Sequence, residues 1–298
     1  MYYLRGIRVI VRGQTIKNTR KLKKLSQKQL ASGICSQSTL SNIENIGICK
    51  DFSVLIALCE RLNLNMQECI SQNDIQYLEN LLNMVNTLCI QLKHKQAYQL
   101  IQPIHLDKTK SNQELYIKFL YFKGLTNLLG INDLNQARNF LLKSSKSENG
   151  FITIYNILSL NTLGTVYELE HNYAQAEIYY EKSMRLLDKF KYQYPVEACR
   201  MFYNTAKFYS EIKEYSIAVS YSEKGLDVIR QSCSGKFLEY LLYEKAFNLY
   251  QLGKNADFEY KQTLCIAEFF QNTEIMKYIK KDMEVYFCAN SIKKANNK

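Results

Sequence analysis

Residues 16–45 read IKNTRKLKKLSQKQLASGICSQSTLSNIEN, and this stretch decides the front of the fold. Ile16, Thr19 and Leu22/Lys23 recur at helical spacing, which predicts a first helix over about residues 15–24 with these side chains inward and the basic ones outward. Ser26 then precedes Gln27, Leu30 and Ala31; its hydroxyl can accept from a first-turn amide, so it predicts the N-cap of a second helix that ends at Gly33. Ser36 repeats the signal. A third helix follows it, with Leu40 and Ile43 on the inner face and Gln37, Ser38, Ser41 and Asn42 on the outer one.

Two short helices joined by a tight glycine-containing turn, the second showing a row of amides and hydroxyls, form a helix-turn-helix arrangement. Glutamine and asparagine amides can pair bidentately with adenine, and serine hydroxyls can donate or accept at either groove edge. The charge pattern agrees. Residues 1–70 carry +7 of the formal +11, and Arg5, Arg8, Arg12, Lys17, Arg20, Lys21, Lys23, Lys24 and Lys28 all precede the first acid, Glu44. Such a surface releases counterions from a polyanion, although a solvated lysine-rich face has the same composition. Lys17, Arg20 and Lys28 are the candidate phosphate contacts, with Ser36, Gln37, Ser38, Ser41 and Asn42 around the reading face and Gln27 at the start of the preceding helix.

Residues 15–70 resemble the phage-repressor-type helix-turn-helix domain, with SQKQLA at its second helix and SQSTLSNIEN at its recognition helix. The resemblance implies base-reading roles for Gln37, Ser38 and Asn42, a phosphate contact for Gln27, and Glu44 as the acid that closes the motif. DFSVLIALCERLNLNMQECI is similar to the fourth and fifth helices, with Val54, Leu55, Leu58 and Leu62 as core. Two departures stand out: ASGICSQ is one residue short before the recognition helix, and IENIGICKDFS is lengthened and lacks the usual proline.

Only 11 Gly and 2 Pro interrupt the 298 residues, which predicts an all-α chain. Beyond residue 75 a small residue recurs in YFKGLTNLL (Gly124), NTLGTVYELE (Gly164), NTAKFYSEI (Ala206) and YEKAFNLYQL (Ala246), each followed by a second amphipathic helix carrying, in the first three, Ala137, Ala176 and Ala218. The spacing predicts stacked helical hairpins that approach closely at these positions. The units resemble tetratricopeptide repeats, clearest over about 157–190, where Leu163, Gly164, Tyr167, Ala176, Tyr180 and Ser183 fall on signature positions. The expected organisation is a basic extension (1–14), a five-helix DNA-binding domain (15–70), a linker helix (71–95) and a right-handed superhelix of repeats with a C-terminal capping helix (96–298).

Asn161-Thr162 with Glu168, and Asn204-Thr205 with Glu211, repeat one spacing that returns the amide and the acid to one helix face. A row of such amides can pair with an extended peptide backbone whatever its sequence. Asn127 and Asn248 extend the candidate row. Ordinary polar residues on a solvated face are the equal alternative.

This domain order is similar to the peptide-pheromone-responsive transcription regulators of Gram-positive bacteria, and ICSQS looks most like their PlcR-like, virulence and quorum-sensing branch. The resemblance implies a cytoplasmic homodimer on palindromic double-stranded DNA and a short signalling peptide in the repeat concavity. A repeat scaffold docking another protein, with the front domain as an interaction module, is the competing reading.

Other classes lack support in the sequence. No phosphate loop, metalloprotease motif or nucleophile elbow occurs, and His94, His105 and His171 lie apart, so neither enzyme activity nor a cofactor is expected. The nine cysteines match no zinc or redox spacing and are expected as buried free thiols. Arg5, Arg8 and Arg12 break any signal-peptide core. Residues 149–167 are uncharged but contain Asn156, Ser159, Asn161, Thr162 and Gly164, which fits a buried helix better than a membrane span. The 23 Tyr and 14 Phe read as inter-repeat core.

Overall fold

The two serines singled out above each cap a helix. The computed structural model, which describes residues 9–49, 51–64, 69, 75–106, 112–147, 150, 152–190, 193–273 and 275–284, is helical apart from one short ladder. The chain divides into two units, Met1–Ser144 and Ser145–Lys298.

In the first unit, β1 (Val9–Ile10) leads into α1 (Gly13–Leu22), α2 (Gln27–Ala31), α3 (Gln37–Ile46), β2 (Ile48–Cys49) and α4 (Phe52–Leu62). Ser26 Oγ accepts from Gln29 N while the Gln29 side chain accepts from Ser26 N, a reciprocal capping box. Ser36 Oγ accepts from Thr39 N at 3.1 Å. Gly47 ends α3 in the left-handed conformation, φ +71°, which side chains with a Cβ rarely adopt. Ile16, Leu30, Leu40, Ile43, Leu55, Leu58 and Leu62 close the core beneath α2 and α3; each such side chain contributes roughly 1.5–3 kcal/mol of burial. Val54 is only partly buried. Of the expected fifth helix only Cys69 is described, so that expectation lies outside the described residues, as do Arg5, Arg8, Cys288 and the basic tail after residue 284.

One feature differs from the sequence expectation. Leu22, expected on the inner face of α1, is 82 % exposed, and Arg20 is buried in its place. Ile16 and Arg20 are four residues apart, so they share the stripe that faces α3. Residues 9–12 of the basic extension form an ordered arm: β1 pairs antiparallel with β2, Val9 opposite Cys49 and Ile10 opposite Ile48, and Val11 N donates to Gly47 O at 2.7 Å.

The first unit continues with α5 (Ile75–Ile90), α6 (His94–Ile101), α7 (Gln113–Ile131) and α8 (Leu134–Ser144). α5 and α6 pack on each other and both touch α7, which packs on α8. The second unit holds α9 (Ile154–Leu169), α10 (Tyr173–Leu187), α11 (Ala198–Glu211), α12 (Tyr215–Ser232), α13 (Leu238–Gln251), α14 (Asp257–Phe269) and a last helix, α15, over 275–284. The pairs α9/α10, α11/α12 and α13/α14 are hairpins, and the first helices touch in succession, α9 on α11 and α11 on α13.

The small residues act as expected. A Cβ on Gly164 would stand 2.9 Å from the Tyr180 ring, so this hairpin closes only around glycine. Ala137, Ala176, Ala206, Ala218 and Ala246 are all fully buried. α9 is buried around most of its circumference, as its uncharged sequence predicts. Among the described residues five cysteines are buried, but Cys35 is intermediate and Cys233 and Cys265 are exposed, so the thiols are not uniformly internal. Among the described residues no helix is long and apolar enough to cross a membrane.

Candidate DNA-reading helix and repeat-domain polar row

α3 shows solvent the row its sequence promised. Gln37, Ser38 and Asn42 are exposed and Ser41 is half-exposed, while Leu40, Ile43 and Glu44 fix the opposite side in the core. Ser36 differs from the rest of the row: its hydroxyl is engaged with Thr39 N and with the hydroxyls of Ser38 and Thr39, both at 2.8 Å, so it caps rather than reaches.

Beneath this face lies an ionic tie that sets the relation of three helices. Arg20 Nε and Nη2 of α1 donate to the two Glu44 oxygens of α3 at 2.6 and 2.9 Å, Arg20 Nη1 donates to Leu25 O, and Gln27 Nε2 of α2 donates to Glu44 Oε2 at 2.9 Å. Burial works to raise the Glu44 pKa, but the hydrogen bonds from Arg20 and Gln27 outweigh it and hold the carboxyl below its ordinary range. Arg20 is therefore withdrawn from the phosphate-contacting set. Gln27 is half-buried and its amide is directed to Glu44, which occupies the side chain expected to contact phosphate. Lys28 is exposed, and Lys17 Nζ donates to Asn45 Oδ1 at 2.9 Å along the edge of α3.

Two contributors escaped the sequence reading. Asn45 links Lys17 to Ser41, donating to Ser41 Oγ at 3.2 Å one turn below the exposed row; the four-residue step from Ser41 was the available signal. Arg61 of α4 donates through Nη1 to Leu30 O and Ser32 O, satisfying the carbonyls at the end of α2; nothing local in the sequence marks that role.

The asparagine row in the second unit is largely internal. Asn161 is 0 % exposed; its Nδ2 donates to Ser183 Oγ at 3.2 Å and Thr205 Oγ1 at 3.1 Å, and its Oδ1 accepts from Asn204 Nδ2 at 3.0 Å. The expected backbone-pairing role of Asn161 is therefore corrected: this amide joins α9 and α10 to α11. Asn204 is half-buried, oriented by Asn161. Glu168 is buried and accepts from Tyr180 Oη at 2.8 Å and Lys207 Nζ at 2.7 Å, whereas Glu211 is exposed. Asn127 lies in the first unit, buried, with Nδ2 donating to Lys123 O at 2.7 Å, and Asn248 makes the same bond one turn back to Glu244 O at 2.7 Å. Lys207 and Glu244 were missed by sequence reading. Glu244 stands two residues before Ala246 as Asn204 stands two before Ala206, and that register was the signal.

A cavity of about 360 Å³ lined by Glu181, Arg185, Asp188, Tyr194, Tyr221 and Lys224 among others contains none of this row.

The fold and the exposed α3 row define the front of the chain as a helix-turn-helix domain, followed by paired helices. Residues 16–69 match the Helix-turn-helix family. Over the whole chain the structure is similar to PlcR of Bacillus thuringiensis in complex with the peptide PapR7 and DNA, at TM-score 0.60 and 20 % identity, covering 90 % of this chain and 98 % of that one. It is likewise similar to PlcR in its apo form, at TM-score 0.59 and 17 % identity with the same coverage. The apo competence regulator ComR of Streptococcus vestibularis aligns at TM-score 0.48 and 14 % identity over 92 % of this chain and 97 % of that one. A search of curated proteins by sequence gives no match. The shared fold with PlcR spans both the helix-turn-helix domain and the repeats.

Proposed function

We propose that the chain is a non-enzymatic, cytoplasmic transcription regulator: the helix-turn-helix domain reads double-stranded DNA and the repeat domain binds a short signalling peptide. The observation that carries the reading is the exposed row Gln37, Ser38 and Asn42 on a helix anchored from below by Leu40, Ile43 and the Arg20–Glu44 tie. Those side chains have the donors and acceptors for base edges, and Lys28 and Lys17 flank them for phosphates. A dimer on a palindromic operator follows from the way such domains present paired helices to successive major grooves. The whole-chain likeness to PlcR, solved with the peptide PapR7 and DNA, supports a peptide as the ligand of the second domain. Coupling requires that the peptide prefer one dimer state over the other.

Selection of operator sequences from random duplex DNA, followed by mobility shift, tests the reading. The wild type selects a two-fold symmetric site, and Gln37→Ala with Ser38→Ala loses that selectivity while melting as the wild type does. Retained selectivity in the double variant removes α3 as the reading element.

A further inference from the structure

Asn248 is 0 % exposed, and among the described residues no donor reaches its Oδ1. Turning the amide over does not help: Nδ2 stands 2.7 Å from Glu244 O, and an oxygen placed there would face another acceptor. Glu244, one turn earlier on α13, is 6 % exposed, and the donor the described residues bring to its carboxylate is Asn248 Nδ2, at 3.4 Å. Two buried acceptors thus lie side by side, and buried acceptors in native proteins are matched by donors.

The charge balance nearby has the same sign. Glu168 and Glu244 both lie within electrostatic reach of Lys207, but the Lys207 ammonium is bonded to Glu168 at 2.7 Å. Among the described residues, one buried carboxylate is left without a bonded cation. Desolvation accordingly pushes the Glu244 carboxyl up to about 7, as expected of an acid awaiting a counter-charge. Tyr240, a further turn back on the same face of α13, lies beside Tyr203 of α11 with ring centroids 5.3 Å apart and the planes tilted by 52°. Aromatic rings next to a carboxylate suit an alkylammonium or guanidinium group, which gains from both.

We propose that Glu244 and Asn248, walled by Tyr203 and Tyr240, hold a cationic group of the bound peptide, either its terminal ammonium or a lysine or arginine side chain. The inference rests on the peptide-receptor reading above and adds the charge of the ligand. Glu244 accepts an ion-paired hydrogen bond, Asn248 Oδ1 accepts a second N–H, and Glu168–Lys207 stays intact beside them.

The probe is a random heptapeptide library in two forms, with free and with acetylated amino termini, captured by the full-length chain and sequenced. The wild type enriches cationic peptides about tenfold, an ordinary margin for one ion-paired contact, and Glu244→Gln abolishes the enrichment. Enrichment confined to the free-terminus library assigns the terminal ammonium; enrichment kept after acetylation assigns a side chain. A measurement that needs no variant accompanies it: butylammonium chloride displaces captured peptides from the wild type where potassium chloride at equal ionic strength does not. Capture without charge preference, or a preference that survives Glu244→Gln, overturns this proposal alone. No capture by a wild type that still selects its operator overturns the peptide-receptor reading with it.

Discussion

Arg20 and Glu44, 24 residues apart in sequence, meet through two nitrogen–oxygen bonds of 2.6 and 2.9 Å inside the front domain, at 8 % and 1 % exposure. The pair sets α1 against α3 from within, so the outward row of α3 is aimed by an interaction closed off from solvent.

Removing one partner leaves a buried charge without its counter-ion, which costs roughly 3–5 kcal/mol. Arg20→Met and Glu44→Leu are each expected to destabilise the domain on that scale in chemical denaturation, and together to cost much less. The acid side follows from the depressed Glu44 pKa: the folded state holds this proton less tightly than the unfolded chain, so the stabilisation is complete above the ordinary glutamate value of 4.5 and is lost as pH falls through the lower folded value. Denaturation midpoints of wild type and Glu44→Gln are expected to converge below that range.

Glu244 has the opposite sign. Its folded pKa, about 7, exceeds the ordinary 4.5, so the folded state binds this proton more tightly; the associated stability is full below pH 4.5, declines between 4.5 and 7, and is constant above. In the absence of ligand, Glu244→Gln is therefore expected to be more stable than the wild type at pH 8 by up to roughly 3 kcal/mol, the worth of such a shift, and no more stable at pH 4. Equal stability at both pH values would show that the carboxylate is not desolvated.

Asn161 and Asn204 separate by experiment. Asn161→Ala strips partners from Ser183, Thr205 and Asn204 in a closed interior and is expected to lower stability by about 1–3 kcal/mol. Asn204→Ala, at a half-exposed position, is expected to cost less than about 1 kcal/mol while weakening peptide binding. Thermal melts beside peptide titrations distinguish them; a stable Asn161→Ala that merely loses ligand restores the original backbone-pairing role.

The architecture was legible because its determinants are local. Ser26 and Ser36 announce helix starts through hydroxyl chemistry, Leu40 and Ile43 give the period, and Gly164 with Tyr180 encodes a close helix approach that needs no distant information. What stayed hidden was the inward turn of polar groups. The sequence assigns Arg20 to solvent because charges belong there by default, yet it is four residues from buried Ile16, and Glu44 is the one acid within the first 50 residues. The amide spacing places Asn161 on a surface, yet it sits in the uncharged stretch that predicts burial on every side; a polar residue in such a helix bonds inward. Glu244 carries no local signal because the charges around it, Lys207 and Glu168, lie on other helices, and its significance is a charge imbalance that only three dimensions reveal.

The short ladder before α1 carries a mechanical consequence. Val11 N is bound to Gly47 O at 2.7 Å and Arg12 N to Cys69 O at 2.6 Å, so the backbone entering the domain is stitched to the exit of α3 and to the segment beyond α4. A pull on residues 9–12 is delivered to the C-terminal end of α3 as directly as to α1. Any partner or fusion that loads the chain there therefore acts as a lever on the helix that carries the exposed Gln37, Ser38 and Asn42.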